Sequence, residues 1–125
     1  MPDANQPPNE PSIDFPELLA RVDNDRDLLL DLMSIFKEEF PRHVRELTDV
    51  IAVRDLKKMS VVSHTLKGML ANLAVTRAAS AAGKLEQLAR DGAAEPEIGD
   101  ALRAFQREVQ GVLPEMDAYM AEVQR

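Results

Sequence analysis

The segment Ser63-His64-Thr65-Leu66-Lys67-Gly68 holds a histidine with a lysine three residues on and a glycine four residues on. On a helix, positions three and four apart are neighbours on one face. The spacing therefore sets the His64 imidazole beside a fixed ammonium, Lys67, and beside a residue without a side chain, Gly68. A neutral imidazole has an ordinary pKa of about 6.5, so at pH 7 it is mostly unprotonated and nucleophilic. On a helix face open to solvent it can attack a phosphoryl group brought by another molecule. Lys67 would neutralise charge on the transferred oxygens, and Gly68 would leave room for the group and its donor. The ring's other nitrogen needs an acceptor to fix the tautomer, which a neighbouring helix can supply. Taken singly, His64 and Lys67 are ordinary surface residues. Gly68 is harder to set aside, because a mid-helix glycine costs about 1 kcal/mol relative to alanine and usually reflects close approach of something else.

Helices must position these residues. Asp14, with Glu17 three residues later, resembles a capping box and opens a short amphipathic helix carrying Leu18, Leu19 and Val22. A second helix is predicted from Asp25 to Val53, with Leu29, Leu32, Met33, Phe36, Phe40, Val44, Leu47 and Ile51 on one stripe. Pro41 falls inside it and predicts a kink near Lys37–Pro41. The third helix is predicted over Asp55–Leu73, with Leu56, Met59, Ser63, Leu66, Leu70 and Leu73 along its seam. His64 lies one residue off that seam, on a face shared with Ser60, Lys67, Gly68 and Ala71. A fourth helix is predicted over Thr76–Arg90, closed by Asp91-Gly92. A fifth starts near Pro96, and Pro114 should bend or interrupt it. Four long amphipathic helices with short connections predict an all-α fold, an antiparallel four-helix bundle with a short N-terminal capping helix.

Composition narrows the function classes. The 125 residues are 45% apolar with 4% aromatics, which suits one helical domain. Residues 1–11 carry four prolines and almost nothing apolar, so they read as a flexible tail, with the bundle over 12–125. A net charge of −7 argues against nucleic acid or an anionic membrane as partner. With no cysteine, thiol catalysis and disulfides are excluded. No apolar run approaches the roughly 20 residues of a membrane span, and no signal peptide is apparent, so the expected location is cytoplasmic. No phosphate-binding glycine loop is present. His43 lacks spaced partner ligands and reads as structural or surface. Arg54, Lys57 and Lys58 join Lys67 in a basic stretch, which could meet an acidic partner or be a solvated face.

His64-Thr65-Leu66-Lys67-Gly68, followed by Asn72-Leu73, resembles the H-x-L-K-G-x-x-x-N-L-G signature of the histidine-containing phosphotransfer (HPt) domain family. The resemblance extends from about Ile13 to the C-terminus and implies a four-helix bundle. It implies that His64 is the phosphoacceptor, Lys67 the lysine beside the phosphoryl oxygens and Gly68 the glycine that gives access. Asn72 and Leu73 match the structural half of the signature. Glu86 falls where the family often has Glu or Gln facing the second ring nitrogen, which implies a His-orienting acceptor. Two positions depart: Ala74 stands where glycine is usual, which predicts a turn that is either strained or differently wound. Met69 replaces a usually small residue, which predicts a larger apolar patch near the site.

The resemblance implies a phosphorelay intermediate, in which His64 takes a phosphoryl group from a receiver-domain phospho-aspartate and passes it to another receiver. It implies a phosphoryl carrier rather than a self-contained enzyme. No cofactor is expected on this chain, and Mg2+ belongs to the partner receiver. The expected partners are response-regulator receiver domains and a hybrid histidine kinase, with the chain itself monomeric. Two alternatives stand beside this reading. One is a non-catalytic helical adaptor that binds such partners; a buried His64 would favour it. The other is the phosphorylatable domain of a chemotaxis-type histidine kinase.

Overall fold

The computed structural model describes residues 12–123. Six helices follow one another: α1 (Phe15–Arg21), α2 (Arg26–Ala52), α3 (Leu56–Asn72), α4 (Thr76–Asp91), α5 (Glu95–Val109) and α6 (Val112–Val123). Among the described residues there is no strand, and α2 to α5 form the antiparallel bundle expected from the apolar stripes. Consecutive helices pack side by side, α2 on α3, α3 on α4 and α4 on α5. α6 packs against α2, and α1 also lies on α2. The expected tail, residues 1–11, lies outside the described residues.

Tight, repeated connections impose the antiparallel order. After α1, α2, α3 and α4 the chain passes through a left-handed residue: Asp23, Arg54, Ala74 and Gly92, at φ +53°, +54°, +58° and +66°. In each, the following backbone N–H reaches back to a carbonyl of the last helical turn, as in Asn24 to Leu19, Asp55 to Val50, Val75 to Leu70 and Ala93 to Leu88. Asp25 and Asp55 then cap the next helix at once, each side chain accepting from the backbone N–H three residues on. Ala74 does adopt the strained conformation predicted for the glycine position, at a cost of roughly 1–2 kcal/mol for an L-residue. Only half of the Asp14 capping box forms. Asp14 accepts from Glu17 N–H at 3.1 Å, but its own N–H donates to Ala74 and the Glu17 carboxylate takes Arg21.

The two internal prolines behave differently. α2 runs without interruption through Pro41. At Pro114 the chain breaks earlier, at Gln110–Gly111, so the expected long fifth helix is α5 and α6. A proline ring clashes with the carbonyl four residues back, which here belongs to Gln110. Starting α6 at Val112 moves Pro114 into a first turn, where a missing N–H costs nothing.

The core holds Leu29, Met33, Leu47, Met59, Leu66, Leu70, Leu85, Phe105 and Met116, all with almost no exposure. Each such side chain contributes roughly 1.5–3 kcal/mol of transfer free energy. Val50 rather than Ile51 is the buried residue of the last α2 turn. Ser63 is wholly buried and its Oγ has no hydrogen-bond partner among the described residues. The seam that holds Ser63 fixes the phase of α3, and His64, one residue on, turns outward.

Candidate functional site

α3 and α4 make the most extensive helix pair, and the site straddles them. The His64 side chain is 66% exposed, so a partner molecule can reach the ring. Its Nδ1 lies 3.0 Å from Glu86 Oε2 on α4. One turn along α3, Lys67 Nζ donates to Glu86 Oε1 at 2.7 Å. One turn along α4, Arg90 reaches Glu86 Oε2, also at 2.7 Å. A single carboxylate, 4% exposed, thus collects three nitrogen partners. Buried carboxylates are tolerated only when paired in this way.

The electrostatics follow from that convergence. The Lys67 hydrogen bond holds the Glu86 carboxyl below its ordinary value of 4.5. Burial pushes the other way, and Arg90 and His64 add to the lowering. At neutral pH Glu86 is a carboxylate and can only accept. The hydrogen atom in the His64–Glu86 contact therefore belongs to Nδ1. In the neutral ring this leaves the lone pair on Nε2.

Gly68 lies on α3 next to His64, and a Cβ built there would meet nothing within 4 Å. Among the described residues no packing demand explains the missing side chain. The space stays open above the helix, as the close approach of another molecule would require. Val61, one turn before His64, is an exposed apolar residue at 62%. Met69 is partly buried and packs against the core.

The remaining candidates fall elsewhere. Arg54 donates to the Ala93 carbonyl at 2.8 Å and ties the α2–α3 turn to the end of α4. Lys57 and Lys58 are exposed on the first turn of α3, and His43 is partly buried on α2. Asn72 is exposed at the end of α3, and Leu73 is buried. Among the described residues no three His, Asp or Glu side chains are grouped as metal ligands would be. No described helix is long and apolar enough to cross a membrane.

Sequence reasoning did not single out Arg90 as a site residue, although its place four residues after Glu86 was the available signal. It also passed over Gly83, a glycine in an alanine-rich helix, one turn before Glu86.

A model of the Hpt domain family matches residues 31–124. The chain belongs to the Hpt domain family. The match takes in all of α3 to α6 and most of α2, while α1 precedes it. No curated protein and no solved structure matches the chain. Hpt domains are phosphotransfer modules of two-component systems, carriers that work with receiver domains and kinases. Among the described residues the exposed histidine is His64, and it lies within the matched segment.

Proposed function

We propose that His64 carries the phosphoryl group in a phosphorelay, taking it from a receiver-domain phospho-aspartate and giving it to a second receiver. The observation that carries this reading is an exposed imidazole whose Nδ1 is held by a buried carboxylate, with a lysine and a bare glycine one turn on. The Nε2 lone pair attacks phosphorus, the N–P bond forms and the acyl P–O bond breaks, and the aspartate leaves as a carboxylate. The ring keeps its Nδ1 proton and becomes cationic, and Glu86 stabilises that charge. Attack by the second receiver's aspartate on the same phosphorus returns the ring to its neutral form.

Lys67, held on Glu86 beside the ring, presents its ammonium to the phosphoryl oxygens, and Arg90 shares the pairing of the carboxylate. Gly68 gives the receiver's loops access to the ring. Exposed Val61, with Lys57 and Lys58 on the same helix, offers apolar and basic contacts beside the histidine. Mg2+ enters with the receiver. The adaptor reading has no use for an exposed His64 paired to a buried acid.

Incubation with a 32P-phosphorylated receiver tests the proposal. The wild type should take up label that is acid-labile and alkali-stable, and His64→Gln should take up none. Label retained on His64→Gln would overturn it.

A further inference from the structure

α4 begins Thr76-Arg77-Ala78-Ala79-Ser80-Ala81-Ala82-Gly83, with alanine at four of its first seven positions. Alanine is the best helix former and glycine among the worst, so Gly83 goes against the run of its own helix. No backbone requirement explains it, because the positive-φ glycine is Gly92 and Gly83 is helical. Its surroundings do. A Cβ on Gly83 would stand 3.3 Å from Lys67 Cδ, closer than such contacts normally come. Glu86, one turn further along α4, is where the Lys67 ammonium ends, 2.7 Å from Oε1. The bare backbone at Gly83 is thus the floor over which the lysine stem crosses from α3 to α4.

We infer that Gly83 is a positioning residue for Lys67, its missing side chain letting the stem lie flat and keep the ammonium on Glu86 beside the His64 ring. Its bearing on phosphoryl transfer rests on the role proposed for His64, but the placement of the lysine does not. Gly68 and Gly83 then serve opposite purposes: a Cβ on Gly68 meets nothing, whereas one on Gly83 meets the lysine. The charged and titratable groups facing Glu86 are His64 and Lys67 from α3 and Arg90 from its own helix. Lifting the lysine stem away leaves the carboxylate to Arg90 and His64.

The test is the titration of the Glu86 carboxyl, followed by 13C NMR in the full chain. Gly83→Val should raise the Glu86 midpoint by about half a pH unit, because the lysine hydrogen bond that favours the carboxylate is lost. Gly83→Ala should raise it less, and it decides the matter alone if the valine variant does not fold. In a Lys67→Met background the same substitutions should leave the midpoint where Lys67→Met has put it, since neighbours that act through one contact are not additive. Single-turnover transfer to His64 from a phosphorylated receiver should slow about fivefold in Gly83→Val, as expected for a misplaced charge. A Glu86 midpoint unchanged by both substitutions, or raised equally with and without Lys67, would overturn the inference. Absence of label on wild-type His64 alongside a raised Glu86 midpoint would sink the carrier role and leave the positioning of Lys67 standing.

Discussion

On the α3 side of the site, His64 is two-thirds exposed and Gly68 faces open space. On the α4 side, Glu86 is almost wholly buried and Gly83 lies under the Lys67 stem. The α3 face is open to solvent, and the α4 face is filled by residues of this chain. The chemistry proposed for the exposed ring needs both. Without the buried carboxylate, nothing fixes the proton on Nδ1. Without the open face, nothing reaches Nε2. Lys67 links the two, starting on the exposed helix and ending on the buried acid.

The comparison can be broken most severely at that link. Lys67→Ala should slow transfer from a phosphorylated receiver by roughly a hundredfold in single-turnover assays, the usual cost of losing one stabilising donor. The same variant should stay folded with only a modest loss of stability, because Arg90 and His64 still pair the Glu86 carboxylate. Equal transfer rates would place the lysine outside the chemistry.

Glu86→Gln should slow transfer about tenfold, near the value of one charge-assisted hydrogen bond. Glu86 also sets a pH dependence. Its folded pKa lies below the ordinary 4.5, so its pairing stabilises the fold above that pH and the contribution is lost as pH falls through the lower folded value. Denaturant titrations at pH 6 and pH 3 should show the stability gap between wild type and Glu86→Gln narrowing at the lower pH. A gap of constant size would contradict the lowered pKa.

The two mid-helix glycines sharpen the contrast at smaller scale. Gly68→Ala should stabilise the isolated chain by about 1 kcal/mol, since the new methyl meets nothing. Gly83→Ala should gain less, because its methyl abuts Lys67. Chemical denaturation of both variants measures the difference, and equal gains would dissolve the distinction. Smallest of all, Ala74→Gly should change stability by less than about 1 kcal/mol. Relief of the left-handed strain is offset by the loss of a buried methyl and by the greater freedom of glycine in the unfolded chain. A larger change in its thermal midpoint would show that one of these effects has been misjudged.

Much of the α3 side was legible in the sequence. His64, Lys67 and Gly68 are close along the chain, and helical spacing alone brings them together. The phase of α3 was legible too, because Leu66 and Leu70 dictate which face turns inward. The α4 side depends on a packing partner 22 residues away, which periodicity cannot locate. Glu86 came from the family signature alone, and Arg90 and Gly83 acquire meaning only once Glu86 is fixed. The break at Gln110–Gly111 was placed at Pro114 for a related reason. A proline acts on the carbonyl four residues before it, so the chain turns upstream of the residue that causes it.

The most direct measurement is 15N NMR of the phosphorylated protein with labelled histidine. Phosphorus should be found on Nε2 of His64, with the Nδ1 proton retained and hydrogen-bonded to Glu86. Phosphorus on Nδ1, or on any other residue, would contradict the arrangement in which the buried acid holds one nitrogen so that the other can react.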